Sequence, residues 1–115
     1  MATAYRGEIW LANLNPVKRN NEVGKVRPVL ILQNDTLNES EYPTTIILPL
    51  TTSLIDDAKP LRVRVSKREK LQNDSDVLIS QVRAIDKSRL IEYVGRASDG
   101  EMRSIKACFD ELIEV

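Results

Sequence analysis

Gly24-Lys25-Val26-Arg27-Pro28-Val29-Leu30-Ile31-Leu32-Gln33-Asn34-Asp35 joins a polar segment to the most apolar run in the chain, with Arg-Pro at the junction. Proline fixes its own φ and offers no N–H, so in a sheet it belongs at the first residue of a strand or on an edge. It also drives the residue before it toward extended geometry. The pattern predicts a buried strand over Val29–Leu32, with Arg27 leaving its mouth from a stiff backbone. A guanidinium held this way is a fork of fixed N–H donors that keeps its charge, suited to a phosphate. The alternative is a solvated arginine closing a loop.

Working outward, Arg6-Gly7-Glu8-Ile9-Trp10-Leu11-Ala12-Asn13-Leu14 alternates as a strand, with Ile9 and Leu11 on one face and Glu8 and Trp10 on the other. Asn15-Pro16 ends it, and Val17–Val26 reads as a loop without periodicity. Gln33–Tyr42 is a turn-rich connection with room for one helical turn. Thr44–Leu50 is a β-branched strand, with Pro49 announcing an edge or a bulge near its end. Thr51-Thr52-Ser53 then sets three hydroxyls past the strand. Leu61-Arg62-Val63-Arg64-Val65 alternates strictly, with Leu61, Val63 and Val65 inward and the arginines outward. Val77–Val82 and Leu90–Arg96 read as further strands.

Ser98-Asp99-Gly100-Glu101 fits a capping box opening a helix, and Met102, Ile105, Phe109, Leu112 and Ile113 fall on one face beside Cys108. That stripe predicts core or dimer seam. Five or six strands read clearly, seven at most, followed by one helix and without strand–helix alternation. The expected fold is mainly β: one domain spanning residues 1–115, a small antiparallel barrel with a C-terminal helix packed on it.

Composition narrows the chemistry. The 115 residues carry 17 basic and 17 acidic side chains, so net charge does not announce a polyanion binder. Yet Lys59–Lys70 holds six bases against one acid, and Asp99–Val115 five acids against two bases, an asymmetry that can give one face a positive field. There is no histidine, which removes the commonest general base and metal ligand. A single cysteine allows no intrachain disulfide and no cysteine cluster. A metal site would need carboxylates alone, and these are scattered apart from Asp56-Asp57. Neither a metal nor a cofactor is expected. No stretch approaches the roughly 20 apolar residues of a membrane span, so a cytoplasmic protein without membrane attachment is the expectation. Arginines and strand-end hydroxyls remain, groups suited to binding a phosphodiester whose own 2′-hydroxyl is the nucleophile.

Two ordered motifs carry a resemblance. Arg6-Gly7-Glu8-Ile9-Trp10, Glu22-x-Gly24-x-x-Arg27-Pro28-Val29-Leu30 and Gln33-Asn34-Asp35 resemble the N-terminal signature of MazF/PemK-type toxin endoribonucleases. Gln81-Val82-Arg83-Ala84-Ile85-Asp86-Lys87-Ser88-Arg89-Leu90 resembles that family's second signature. The resemblance implies a homodimer of SH3-like barrels, metal-independent cleavage of single-stranded RNA at a short sequence, 2′,3′-cyclic phosphate and 5′-hydroxyl ends, and a cognate antitoxin that blocks the RNA groove. By the same resemblance Arg27 matches the catalytic arginine and Thr51 the threonine completing the site, while Glu22 is the acid of the first loop. Substrate contacts are then expected at Asn13, Lys25, Thr52, Ser53, Arg62, Arg64, Gln81 and Arg83. A solvated strand face is the alternative for Arg62 and Arg64.

Arginine is a poor base, because its pKa stays above about 12. Arg27 is therefore expected to stabilise charge at the scissile phosphate, with proton donation to the leaving 5′-oxygen as a second role open to it. Thr51 would hydrogen-bond a non-bridging oxygen. Two departures stand out. Leu78 and Ser80 occupy the positions where one branch carries an arginine and an aspartate, and the usual Gly-Ser-Glu-Gln of the first loop reads Asn20-Asn21-Glu22-Val23. The rival readings are a CcdB-type gyrase poison and an inactive RNA-binding relative. The first relies on a terminal-helix aromatic, whereas this chain ends Leu112-Ile113-Glu114-Val115 and has its one tryptophan at Trp10. Retention of Arg27 and Thr51 argues against the second.

Overall fold

The computed structural model describes residues 3–14 and 26–114. Seven antiparallel strands form one sheet: β1 (Glu8–Asn13), β2 (Val26–Ile31), β3 (Thr44–Thr51), β4 (Arg62–Val65), β5 (Ser75–Leu78), β6 (Arg83–Asp86) and β7 (Leu90–Arg96). A short helix, α1 (Asp35–Glu39), follows β2, and α2 (Asp99–Ile113) ends the fold. The strand order is β4-β5-β3-β2-β1-β7, with β6 on β3. The mainly β architecture with a terminal helix is as expected, but the sheet stays open instead of closing into a barrel. Its end strands, β4 and β7, do not pair with one another. The segment after β4 reaches across by one backbone bond, Lys70 N–H to Val94 O at 2.9 Å.

β3 is the hub, because eight residues are long enough to serve three partners. Ile47 pairs with both Ile31 of β2 and Arg83 of β6, while Leu50 and Thr51 pair with Val77 and Asp76 of β5. The change of partner falls immediately after Pro49, so the expected irregularity is a hand-over from β2 to β5. Pro28 is the third residue of β2, opposite Leu11, and the ladder to β3 begins one residue later at Val29. Its missing donor therefore interrupts no bond to β3.

Each face of the sheet buries its own cluster. Ile9, Leu30, Leu48, Val63, Val65 and Val77 share one with Met102, Ile105 and Cys108 of α2. Trp10, Val29, Ile31, Ile47 and Ile85 form the other, under Ala4 and Leu14. The capping box is present: the Glu101 N–H donates to Ser98 Oγ at 3.1 Å and the Ser98 N–H to Glu101 Oε1 at 2.8 Å. Arg68 donates to both oxygens of Glu101, tying the β4–β5 connection to the start of α2. Gly7 has φ +91°, a left-handed value that disfavours any side chain. Its N–H donates to Ile31 O and its carbonyl accepts from Ala97, so the turn joins β2 to the entry of α2.

Two further expectations need correcting. Leu61 is 52% exposed, because it closes a turn through its N–H to Ala58 O before β4 begins. The strand at Val77 ends at Leu78, and Ile79–Gln81 wind into a 3₁₀ turn that redirects the chain to β6. In the apolar stripe of α2, Met102, Ile105 and Cys108 are buried and Phe109 packs against the core, while Ile113 is 62% exposed.

Replacing the fully buried Ile105 by alanine should cost about 2–5 kcal/mol in urea unfolding, whereas Glu111→Ala, exposed on the same helix, should stay within about 0.5 kcal/mol. Equal effects would mean that α2 does not anchor the core.

Candidate active site

Of the expected site residues, Asn13, Arg27, Thr51, Thr52 and Ser53 stand at or next to the ends of β1 and β3 and the start of β2. Directly opposed residues of neighbouring strands share a face. Ala12 opposes Arg27, Thr51 opposes Asp76, and Asp76 opposes Arg64. Arg27 precedes the start of the β2–β3 ladder at Val29–Pro49 by two residues, and Thr51 follows it by two on the other strand. Arg27 has the parity of Val29 and Ile31, so the row lies on the face away from α2. Pro28 and Thr52, the chain neighbours of Arg27 and Thr51, line one cleft.

The hydroxyl turn is fixed in place. The Ser53 N–H donates to Thr51 Oγ1 at 3.1 Å, and Arg62 Nη1 donates to Ser53 O at 2.7 Å. Asp76, whose side chain is 1% exposed, anchors the arrangement. Its Oδ2 accepts from the Ile55 N–H at 2.9 Å and Arg62 Nη1 at 3.1 Å, and its Oδ1 accepts from Arg64 Nε. Arg64 also reaches Asp56 at 2.9 Å. Burial by itself would raise the Asp76 carboxyl, but the Arg64 hydrogen bond, the Ile55 N–H and Arg62 outweigh it and hold the group below the usual carboxylate range. The hydrogen bonds that Arg64 donates to Asp76 and Asp56 hold it above its ordinary value.

Arg27 is different. It is half-buried, and among the described residues no hydrogen bond or ion pair engages its guanidinium. Arg62 and Arg64 are engaged by Asp76, whereas no described residue engages the Arg27 fork. A cation together with a hydroxyl can receive a phosphodiester.

Residues 5–113 match the family described as PemK-like, MazF-like toxin of type II toxin-antitoxin system. The endoribonuclease MazF of Staphylococcus saprophyticus subsp. saprophyticus is 41% identical over 107 residues, 91% of this chain and 87% of that protein. This chain belongs to the PemK/MazF toxin family. Its backbone is similar to a chain of the MazE-MazF complex (Form-II) of Deinococcus radiodurans, with TM-score 0.80, 20% identity, and 98% and 97% of the two chains covered. It is also similar to an endoribonuclease solved with its cognate antitoxin from a mycobacterial species, with TM-score 0.73, 20% identity, and 96% and 93% covered. At those identities the likeness is one of fold.

In this MazF-like chain, most residues of the two signatures build the frame. Asn34 caps α1 by accepting from the Leu37 N–H at 3.0 Å, and Asp35 accepts from the Arg6 N–H at 2.6 Å. Gln33 is buried against Asn38, which also accepts from Thr45 Oγ1. In the second signature, Lys87 Nζ donates to the carbonyls of Leu37, Asn38 and Ser40 after α1, and Arg89 donates to Asn13 O. Arg27 stands apart from this frame.

The remaining expected residues are dispersed. Asn13 closes β1 opposite Val26, at the same end as Arg27. Thr52 and Ser53 are exposed in the turn. Gln81 ends the 3₁₀ turn, and Arg83 opens β6 opposite Ile47, four residues before Thr51 and so roughly 13 Å down the strand. Leu78 is buried opposite Arg62, and Ser80 sits in the 3₁₀ turn. Glu22 and Lys25 lie outside the described residues. Asp76 is the residue the sequence reading missed. Asn73-Asp74-Ser75-Asp76 looks like a polar turn, and only the outward arginines of the next strand hinted at a buried acid across from them.

Asp76→Asn keeps the shape and removes the charge, and should lose about 1–3 kcal/mol of stability at pH 7. Because the folded-state values of Asp76 and Glu101 are lowered, the stability they supply is complete above the unfolded carboxylate range near about pH 4 and is lost as pH falls through the folded values. Thermal melts should therefore show wild type and Asp76→Asn converging in acid. A gap that persisted there would assign the cost to shape.

Proposed function

We propose that this chain is the toxin of a toxin–antitoxin pair, a metal-independent endoribonuclease cutting single-stranded RNA at a short sequence in the cytoplasm. The observation that carries the reading is that no described residue engages the Arg27 guanidinium, whose neighbour Pro28 shares a cleft with Thr52, the neighbour of Thr51. The RNA supplies its own nucleophile. The 2′-oxygen bonds phosphorus as its proton leaves to solvent, the P–O5′ bond breaks, and the 5′-oxygen takes up a proton. The products are a 2′,3′-cyclic phosphate and a 5′-hydroxyl.

Arg27 stabilises the charge that grows on the phosphoryl oxygens and the leaving oxygen, and Thr51 donates to a non-bridging oxygen. Glu22 keeps the catalytic part that the family resemblance implies for the acid of the first loop. Arg62 and Arg64 act through Asp76, holding the turn that presents Thr51, Thr52 and Ser53. Asn13, Lys25, Gln81 and Arg83 extend the contact with the strand. The working unit is a homodimer, and a cognate antitoxin silences it by covering the RNA groove. The relatives solved with MazE or another antitoxin support that partner class.

The test is a mixed single-stranded RNA incubated with purified protein in EDTA, with both new ends mapped. Discrete cuts with 5′-hydroxyl ends are expected, and removing the one aimed donor by Arg27→Ala should cost roughly 10²–10³ in rate. A 2′-deoxy nucleotide at the cut should abolish scission. Cutting of that substrate, or full activity of Arg27→Ala, would overturn the reading.

A further inference from the structure

We propose that the cleft beside Pro28 and Thr52 is a nucleobase subsite of the RNA site, taking an unpaired base with an exocyclic amino group near the scissile phosphate. This rests on the ribonuclease reading above. The cleft has a volume of about 660 Å³, inside the roughly 300–1,000 Å³ typical of small-ligand sites. Leu11, Pro28, Leu71 and Val94 give it an apolar floor. Glu69, Gln72, Asn73 and Glu92 form a polar rim. An unpaired base presents that combination in reverse: flat apolar faces and a hydrogen-bonding edge.

Position links the cleft to the chemistry. Successive strand residues point to opposite faces. Pro28 and Thr52 therefore look into the cleft from the same strand ends whose neighbours, Arg27 and Thr51, look to the phosphate side. A chain gripped at its phosphate by Arg27 leaves an adjacent base at the rim. Charge separates base from backbone: the charged residues described in the lining are Glu69 and Glu92 against Lys70, a balance that disfavours phosphate and admits a neutral ring.

The rim is also held. Glu69 sits at φ +48° and accepts from the Tyr93 hydroxyl at 3.0 Å. Lys70 Nζ lies 3.7 Å from Glu92, and its N–H is bonded to Val94 O. Carboxylates only accept, so they favour the amino groups of adenine, guanine or cytosine over uracil, which has none.

The experiment uses an oligoribonucleotide bearing the mapped cut, in which each flanking base is replaced in turn by an abasic ribose and by an analogue lacking the amino group. Wild-type kcat/KM should fall about tenfold at one position, the worth of one or two hydrogen bonds, with most of the loss reproduced by removing the amino group. In Gln72→Ala/Asn73→Ala, and separately in the near-isosteric Glu92→Gln, that penalty should shrink to within about twofold. Both changes lie on exposed side chains, and circular dichroism melts verify folding. A penalty unchanged in both variants overturns the subsite and leaves the ribonuclease reading standing. Weakened antitoxin binding with an unchanged penalty overturns it too, making the cleft a protein contact. Failure of wild type to cut any RNA removes both readings.

Discussion

Burying a carboxylate at the rim of a sheet is costly unless cations and N–H groups answer it, and Asp76 is answered by Arg62, Arg64 and the Ile55 N–H together. The consequence reaches past stability. The same Arg62 that satisfies Asp76 also holds Ser53 O, so the turn carrying three hydroxyls is pinned to β4 and β5. Without that ion cluster, nothing among these contacts would hold the turn after β3 against β4 and β5.

A chain with equal numbers of acids and bases can still present a working cation where several of the others are neutralised locally. Arg68 is forked onto Glu101, Arg64 bridges Asp56 and Asp76, and Lys106 pairs with Asp110. Among the described residues none engages the Arg27 guanidinium. β2 starts beside β1 alone, three residues before the ladder to β3, and Pro28 is the last of those three. A stiff backbone and a charge that no described residue answers thus coincide at Arg27.

Local pattern carried the reading far. The capping box, the helical stripe, the hydroxyls at the end of β3 and the strand at Leu90–Arg96 are all short-range features, and the structure has them where the spacing put them. What escaped was set by register. Asp76 acquires its meaning only from strands β3 and β4 on either side, and Leu61 looked inward by alternation until a turn removed it from β4. Sheet closure escaped for the same reason, because it depends on whether two distant strands meet. The signatures that betrayed the family mostly serve the frame, as Lys87 under α1 illustrates, so recognising them located the site without describing it.

The most direct measurement of the central claim is the salt dependence of binding to an uncleavable 2′-deoxy-substituted RNA, compared between wild type, Arg27→Ala and Arg64→Ala. Each phosphate contact on a single strand contributes about 0.7 to the slope of log K against log salt. The account predicts that Arg27→Ala lowers the slope by about that amount and that Arg64→Ala leaves it unchanged. An unchanged slope for Arg27→Ala, or the loss appearing with Arg64→Ala, would contradict it.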